Sequence, residues 1–363
     1  MDRSSADVPV VAVFANKGDS SNEEARIQML LGPLEPRHWP FDRGSKPRTA
    51  GRLLARIAKE RPAIVVMEGT GLAGGLAIMA GRILFGVPYV VSSGDAVAPF
   101  FGLQHRGLSL IGYAYERLLY KLSAGFIGWT PYLVGRALTL GAKRGITAEN
   151  WAPFGAEPDG RETVRARLGL SHDQIVIGLV GALNWSSRRQ YCYGLELVRA
   201  IRRVSRPDIT VVVVGGGDGR RRLIEAAGAD LHGRILLPGP VEPADVPAYL
   251  AAFDAGSLPQ SLDGVGSFRY TTKISEYLRS GLPVVTGRLP FAYDLDDGWL
   301  WRLPGDAPWS DDYVSALAQW MEGLTANDIT VHRNAIPAAP QTFDKDRQVR
   351  RVSAFVAELL EDL

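Results

Sequence analysis

One segment of the 363-residue chain, residues 271–285 (TTKISEYLRSGLPVV), concentrates side chains that could bind a ligand. Thr271 or Thr272 can cap a helix there, and Gly281 followed by Pro283 ends that helix before an apolar strand. The free amide groups at a helix amino terminus carry partial positive charge and bind phosphate. The segment therefore predicts a helix whose first turn could hold an anion.

Glu276 is the residue of this helix with the most specific chemistry. At about 100° per residue, Ile274 and Leu278 share an apolar face, and Glu276 lies about 200° from Ile274 on the polar face. A carboxylate in that position could accept hydrogen bonds from both hydroxyls of a ribose, a charge-assisted pairing. The alternative interpretation is a solvated glutamate on an exposed helix.

The elements that must position these residues follow a repeating pattern of apolar run, turn and amphipathic stretch. Continuous β-branched runs are typical of strands buried on both faces, and a βαβα series predicts a parallel sheet covered by helices. The predicted strands cover residues 10–15, 64–67, 88–92, 126–129, 175–180, 209–214, 235–237 and 284–285. The predicted helices cover residues 23–31, 51–60, 72–85, 108–122, 195–204, 221–227, 244–253, 271–280 and 347–363.

Two domains are expected, because the pattern restarts in the second half and domains average about 150 residues. Residues 150–170 are rich in Pro and Gly, lack strand periodicity and form the predicted linker. We predict an α/β fold of two Rossmann-like doubly wound domains, residues 1–157 and 158–344. The loops that follow their strands would line a cleft between them.

Composition excludes several classes of protein. The chain is 46% apolar and 22% charged, and 41 basic against 39 acidic residues give a net charge of +2, without a general nucleic-acid signature. Cys192 is the only cysteine, which excludes an intramolecular disulfide and fits a reducing compartment. Glu68 and Arg82 interrupt the most apolar region, so no spanning helix is expected. We predict a cytoplasmic protein without a signal peptide.

The glycine-rich loop Gly215–Gly219 (GGGDG) follows a predicted strand but fails as a dinucleotide fingerprint. That fingerprint needs Gly-x-Gly-x-x-Gly, and its last position falls on Arg220 or Arg222 in the two registers available. A flexible structural turn is the favoured interpretation, and a loop that approaches a phosphate is the alternative.

Residues 273–285 resemble the K-x-x-E-Y-x-x-x-G-x-P-V-V signature of GT-B glycosyltransferases, specifically family 4 and its relatives. Further segments are similar in the same order. The second half contributes IGLVGALN, VVVVGGGDG, LLPGPV and DVPAYLAAFDAGSLP, and the first half PAIVVMEG, GVPYVVSSGD and the linker APFGAEP. The similarity is strong over residues 175–290 and looser before residue 150.

The resemblance implies a transferase that moves a hexose-type unit from a nucleoside diphosphate sugar, UDP- or GDP-linked, to a hydroxyl acceptor. The acceptor could be a glycan, a lipid-linked molecule or a small molecule, in glycan, polysaccharide or glycoconjugate biosynthesis. The resemblance also implies retention of anomeric configuration without a metal or cofactor, and a donor held mainly by the second domain. It implies that the final helix, residues 345–363, packs back on the first domain.

Cleavage of a sugar–diphosphate bond develops negative charge on the leaving group, which fixed cations and backbone N–H groups must stabilise. We expect Lys273 and one of the adjacent arginines Arg188 and Arg189 to do so, with Arg188 and Lys273 assigned as catalytic. An exposed structural cation is an equal alternative for each. The expected donor-binding residues are Gly18, Gly181, Arg189, Gly239, Val241, Arg269, Thr272 and Glu276.

Two departures from the family pattern concern this site. The family often carries an acid at the position of Phe268, so the contacts to the donor sugar are left unassigned. It also usually spaces its basic pair about five residues apart, whereas Arg188 and Arg189 are adjacent and no Lys follows at that spacing.

The first domain contributes fewer candidates. Asp95 follows a predicted strand and could position an acceptor hydroxyl or act as its base, although a turn-forming or helix-capping role is the alternative. His105 is a second acceptor-side candidate. Gly18 could bring backbone amides near the donor phosphates or serve as a plain turn residue. The other histidines are scattered without ligand spacing, so no metal site is expected.

Three questions stay open from sequence. Helix 108–122, with the basic helix at residues 52–61, could dock an anionic membrane surface at the inner face, or it could be a core helix. The oligomeric state is unknown. A non-catalytic nucleotide-sugar-binding subunit of a transferase complex and a nucleotide-sugar epimerase are the alternatives to a transferase.

Overall fold

The computed structural model describes residues 10–104, 107–153, 160–230, 232–338 and 340–362. The chain forms two compact units. The first consists of Met1–Asn150, Phe268–Tyr270 and Gln341–Leu363, and the second of Trp151–Ser267 and Thr271–Pro340. The division at Asn150 precedes the expected one at residue 157, and the final helix is part of the first unit.

Helices and parallel strands alternate along the first unit, as the apolar runs predict. The sheet order is β2-β1-β3-β4-β5-β6, and every recorded pair in it is parallel. The elements are β1 (Val11–Ala15), α1 (Asn22–Leu31), β2 (Arg37–His38), α2 (Lys46–Glu60), β3 (Ile64–Glu68), α3 (Leu72–Phe85), β4 (Tyr89–Ser93), α4 (Val97–Gln104), α5 (Leu108–Lys121), β5 (Gly125–Gly128), α6 (Pro131–Thr139) and β6 (Gly145–Thr147).

The second unit repeats the pattern. Its sheet order is β12-β11-β10-β7-β8-β9, which read from β9 is the strand order of a Rossmann sheet. The elements are α7 (Gly160–Arg167), β7 (Ile175–Val180), α8 (Leu195–Ile201), β8 (Ile209–Val214), α9 (Arg220–Ala227), β9 (Ile235–Gly239), α10 (Val246–Ala252), β10 (Ala255–Leu258), α11 (Thr272–Arg279), β11 (Val284–Gly287), α12 (Phe291–Asp294), β12 (Leu300–Leu303), α13 (Asp311–Gly323) and α14 (Ala326–Asn334).

The last helix, α15 (Lys345–Glu361), completes the core of the first unit. Its N-cap Asp344 accepts a hydrogen bond from the backbone N–H of Arg347. Its apolar face is buried, and the ring of Phe355 occupies the space beside Gly125, where a Cβ atom would lie only 2.8 Å away.

The predicted fold class of two doubly wound α/β units is confirmed, but the linker prediction is wrong in part. Helix α7 lies within residues 150–170, and its Arg161 and Arg165 pair with Asp254. Residues 154–159 lie outside the described residues. The strands that the sequence missed are short, and β10 contains Gly256 in place of a β-branched residue.

Candidate functional site

The order of strands in the second unit reverses between β7 and β10, which lie side by side. In open α/β sheets, ligands bind outside the carboxyl ends of the strands at such a point. Gly181 directly follows β7, and the loop after β10 leads into α11. The structure thus brings together the predicted residues Gly181, Thr272, Lys273 and Glu276.

The amino end of α11 offers unpaired polar groups. Its cap, Thr271, makes no side-chain capping bond, and the buried Oγ1 of Thr271 has no hydrogen-bond partner among the described residues. Thr272, the first residue of the helix, is exposed. Buried polar groups normally have partners, so an unpartnered one beside free helix amides indicates a place for a ligand.

Lys273 lies in the first turn of α11 with its side chain against Gly181. A Cβ atom added at Gly181 would stand 2.7 Å from Lys273 Nζ, and Nζ is 5.1 Å from the centre of the Tyr193 ring. Within the described parts of the chain, the ammonium has neither a hydrogen bond nor an ion pair. Burial lowers the pKa of Lys273, and the Glu276 carboxylate opposes that shift. The ammonium is available to an anion.

Glu276 is half-buried rather than fully exposed, unlike the solvated glutamate of the alternative interpretation. Burial raises the pKa of its carboxyl group, and the charge of Lys273 lowers it. The carboxylate has no hydrogen-bond partner in the described residues either. A partly dehydrated carboxylate can accept hydrogen bonds from hydroxyls, and a partly dehydrated ammonium can bind phosphate oxygens.

The loop Gly215–Gly219 has the structural role that was favoured from sequence. Gly215 has φ +144°, and a Cβ atom there would lie 1.9 Å from the Gly181 carbonyl oxygen. Gly217 also has φ +144°, and a Cβ atom there would lie 2.6 Å from the Leu183 carbonyl oxygen. These glycines let the loop after β8 pack against the loop after β7, which holds Gly181 in place.

Gly239 and Val241 lie at the carboxyl end of β9, two strands from β7. The Gly239 carbonyl accepts a hydrogen bond from the N–H of Gly215 at 2.9 Å. Adjacent strands are about 4.8 Å apart, so these residues stand about 10 Å from β7 along the sheet edge. That distance fits an elongated ligand, and their role in binding stays a prediction.

The predicted pair Arg188 and Arg189 differs from Lys273 in its surroundings. Arg189 donates to Asp263 at 3.0 Å, and its guanidinium stacks 4.7 Å from the centre of the Trp309 ring. A ligand would have to compete with Asp263 for this cation. Arg188 is exposed. The structure therefore favours Lys273 over Arg189 as the cation for a ligand.

Asp95 and Arg269, predicted for separate roles, form an ion pair. Both belong to the first unit, and Arg269 Nε donates to Asp95 Oδ1 at 2.6 Å. The assignment of Arg269 to the second domain is therefore corrected. Asp95 would have to give up this bond before it could accept a proton from an acceptor hydroxyl.

The remaining predicted residues of the first unit are Gly18 and His105. Gly18 has φ +86°, and its N–H donates to the carbonyl of Ala15 at 3.0 Å, which closes the turn after β1. The positive φ explains a glycine at position 18 on structural grounds alone, because glycine adopts this conformation without steric cost. His105 lies outside the described residues.

A buried polar cluster at the ends of β3, β4 and β5 was missed from sequence, where Glu68 served only to interrupt an apolar run. Arg26 donates to Glu68 at 3.0 Å, Ser92 donates to Glu68 at 2.7 Å, and Trp129 Nε1 donates to Glu68 at 3.2 Å. Burial raises the pKa of Glu68 and lowers that of Arg26, and each charge opposes the other shift. The cluster ties three strand ends together.

The fold also brings Asp19, Glu24 and His38 together, with ligand atoms within 4.8 Å of one another. Sequence spacing did not indicate this group, because His38 on β2 meets the turn before α1 only after folding. His38 Nε2 lies 2.5 Å from Glu24 Oε1, a contact that is an ion pair only when the imidazole is protonated, and Asp19 accepts the N–H of Phe41. The three could hold a divalent cation, but Glu24 and His38 already contact each other and Asp19 already accepts a backbone hydrogen bond.

No helix in the described part of the chain is long and apolar enough to cross a membrane.

The architecture and the site define a class, the GT-B fold, and the comparisons agree with it. Residues 174–322 match the family model described as Glycosyl transferases group 1, which confirms the resemblance found in the sequence. TuaH of Bacillus subtilis, described as a glycosyltransferase of teichuronic acid biosynthesis, is 22% identical over 191 residues. That alignment covers 50% of this chain and 44% of TuaH, so the chain matches less than half of this curated relative.

Solved structures share the fold over nearly the whole chain. HepE (Alr3699) of Anabaena in complex with UDP has a TM-score of 0.68 at 17% identity, covering 98% of this chain and 100% of that one. The sucrose-phosphate synthase of Thermosynechococcus elongatus has a TM-score of 0.70 at 13% identity, with the same coverage. The GT-B fold is therefore confirmed.

Proposed function

We propose that this chain is a glycosyltransferase that moves a sugar from a nucleoside diphosphate sugar, UDP- or GDP-linked, to a hydroxyl acceptor. One observation carries the proposal: Lys273 and Glu276 stand unpaired among the described residues at the amino end of α11, beside Gly181 at the strand-order reversal. The match of this region to Glycosyl transferases group 1 supports it.

The chemistry follows from these groups. The ammonium of Lys273 and the first-turn amides of α11 stabilise the charge that develops on the leaving diphosphate. Glu276 accepts hydrogen bonds from the ribose hydroxyls and so orients the donor. Because the Lys273 ammonium and the helix amides can stabilise the charge that a metal ion would otherwise stabilise, we propose a metal-independent reaction. Retention of configuration is proposed from the resemblance of residues 273–285 to family 4. Asp95, once released from Arg269, is proposed to position the acceptor hydroxyl by accepting its hydrogen bond. The hydroxyl proton then passes to the departing diphosphate.

The complex of HepE with UDP makes uracil the first base to test, and TuaH supports a role in polysaccharide biosynthesis. The cytoplasmic location stays a prediction.

Thermal unfolding with UDP, GDP, ADP, dTDP and their sugars is the first experiment, because a ligand that binds only the native state raises its stability. One nucleoside diphosphate should raise the unfolding temperature of the protein. The corresponding nucleoside diphosphate sugar should release its sugar with time. In Lys273→Met, sugar release should fall about 100- to 1,000-fold, whereas the exposed Lys143→Met should leave it unchanged.

The outcomes separate the alternatives. Binding without sugar release, with acceptors present, would support a non-catalytic subunit. Interconversion of the sugar while it stays attached to the nucleotide would support an epimerase. If no nucleotide sugar stabilises the protein, the proposal is wrong.

A further inference from the structure

The first unit exposes an apolar surface on α3 and α5. Leu72, Leu76 and Ile83 lie within about 40° of one another around α3, at about 100° per residue. Leu76 is 56% exposed and Ile83 is 66% exposed. We define the apolar surface as Leu72, Leu76 and Ile83 of α3 with Leu110, Ile111 and Leu118 of α5, all of them exposed.

The two helices are neighbours on one face of the sheet. A Cβ atom at Gly75 of α3 would overlap the hydroxyl of Tyr115 of α5, so the helices touch there. Parallel strands joined by right-handed crossovers place α2, α3 and α5 on the same face. Soluble monomers scatter such side chains singly, and a contiguous patch marks an interaction site.

Cations surround the apolar surface. Arg117 and Lys121 are exposed on the stripe of α5 that contains Leu110. On the other side, Gly81 of α3 packs against Ile57 of α2. The outer face of α2 presents the exposed residues Arg48, Arg52 and Lys59.

The acids on these helices are already paired. Glu116 of α5 is buried and accepts two hydrogen bonds from Arg136, and Glu60 of α2 pairs with Arg37 and Arg56. Within the described residues of α2, α3 and α5, no carboxylate is left to offset the exposed cations.

We propose that this face binds an anionic lipid bilayer, with the apolar side chains at the boundary between headgroups and acyl chains and the cations on lipid phosphates. An apolar stripe flanked by Lys and Arg is the pattern of an interfacial helix, and each cation near an anionic surface adds affinity. A second copy docked by the same face would place like charges opposite each other, which disfavours a symmetric dimer.

Vesicle flotation of the full chain tests this. We expect the protein to float with phosphatidylcholine vesicles that contain phosphatidylglycerol, and much less with pure phosphatidylcholine or at high salt. Arg117→Glu with Lys121→Glu should lower the partition coefficient about thirty-fold or more. Leu76→Gln with Ile83→Gln should lower it about ten-fold, because apolar area no longer leaves water.

Matched controls lie on other surfaces of the first unit. Lys345→Glu with Arg350→Glu changes charge equally, and Met29→Gln changes an exposed apolar residue of α1. Thermal unfolding and UDP binding should be the same in all variants. Equal flotation of variants and wild type, no flotation of the wild type, or a dimer in sedimentation that these same variants dissociate would each overturn the proposal.

Discussion

Lys273 and Glu276 are one helical turn apart, and the described structure records no salt bridge between them. Pairs at this spacing commonly interact, and burial makes an unmade bond costly for both groups. The shifts agree: burial lowers the pKa of the ammonium and raises the pKa of the carboxyl group. The free protein leaves both groups without a hydrogen-bonding partner among the described residues, a cost that the proposed phosphate and ribose hydroxyls would relieve.

Glu276→Ala should weaken nucleotide binding by about 1–3 kcal/mol, because two hydrogen bonds to ribose hydroxyls are lost. Isothermal titration with UDP and GDP measures the change. Glu225→Ala, an exposed acid on α9, is the control and should bind like wild type. Unchanged affinity in Glu276→Ala would remove this residue from the site.

Glu196 gives the second unit a pH-dependent stability. It is buried and accepts hydrogen bonds from Tyr191 and from the N–H of Gly194, and burial raises its pKa to about 7. The unfolded group titrates near 4.5, so the folded state binds more protons between pH 4.5 and 7. The free energy of unfolding should therefore fall as the pH rises through this range.

Glu196→Gln keeps the hydrogen-bond acceptor and cannot ionise, so it should remove this slope and stabilise the protein at pH 8 by up to about 3 kcal/mol. Urea unfolding from pH 4.5 to 8 measures it, with Glu225→Gln as the exposed control. Parallel curves for Glu196→Gln and wild type would show that Glu196 stays ionised in the fold.

At the scale of elements, the site depends on how loops meet after β7, β8 and β10. Gly181 lacks a side chain where Lys273 lies, and Gly215 lacks one where the Gly181 carbonyl lies. The first contact involves the flexible end of a lysine, and the second involves backbone. A substitution at Gly181 can thus be accommodated by moving Lys273, whereas one at Gly215 must displace a strand end.

Gly181→Ala should leave the fold intact and lower sugar release about as strongly as Lys273→Met, because the new methyl group displaces the ammonium. Gly323→Ala is the control, since nothing lies within 4 Å of its added Cβ. Circular dichroism should show native folding of both variants, and donor turnover should separate them. Wild-type turnover in Gly181→Ala would mean that Lys273 acts from another position.

At the scale of the molecule, each unit has its own core. Phe355 and Leu359 of α15 are buried with the first unit, and Leu317 and Val314 of α13 are buried with the second. Two units with separate cores can unfold separately. A single free energy of unfolding then does not describe the whole chain.

Phe355→Ala should destabilise the first unit by about 3–5 kcal/mol, and Leu317→Ala should destabilise the second by about 2–5 kcal/mol. Scanning calorimetry should show different transitions shifted by the two variants, and UDP should raise the one that Leu317→Ala lowers. If both variants shift one common transition, the units unfold together.

Local patterns in the chain were enough to locate β7, β8, α3 and α11 within a residue or two, because strand and helix periodicity depend on near neighbours. The same patterns placed Lys273 and Glu276 on one helix with its amino end free. They missed β10 and β12, which are short and contain Gly256 or Trp301. Pairing with neighbouring strands, rather than local preference, makes those residues extended.

Which charged groups are paired follows from contacts between residues far apart in the chain. Arg269 meets Asp95 across 174 positions, and Arg26 meets Glu68 across 42. No spacing rule reaches so far, so the sequence could not distinguish the paired Arg269 from Lys273. Pairing distinguishes them in the folded chain: the guanidinium groups of Arg269 and Arg26 have carboxylate partners, and the ammonium of Lys273 has none among the described residues.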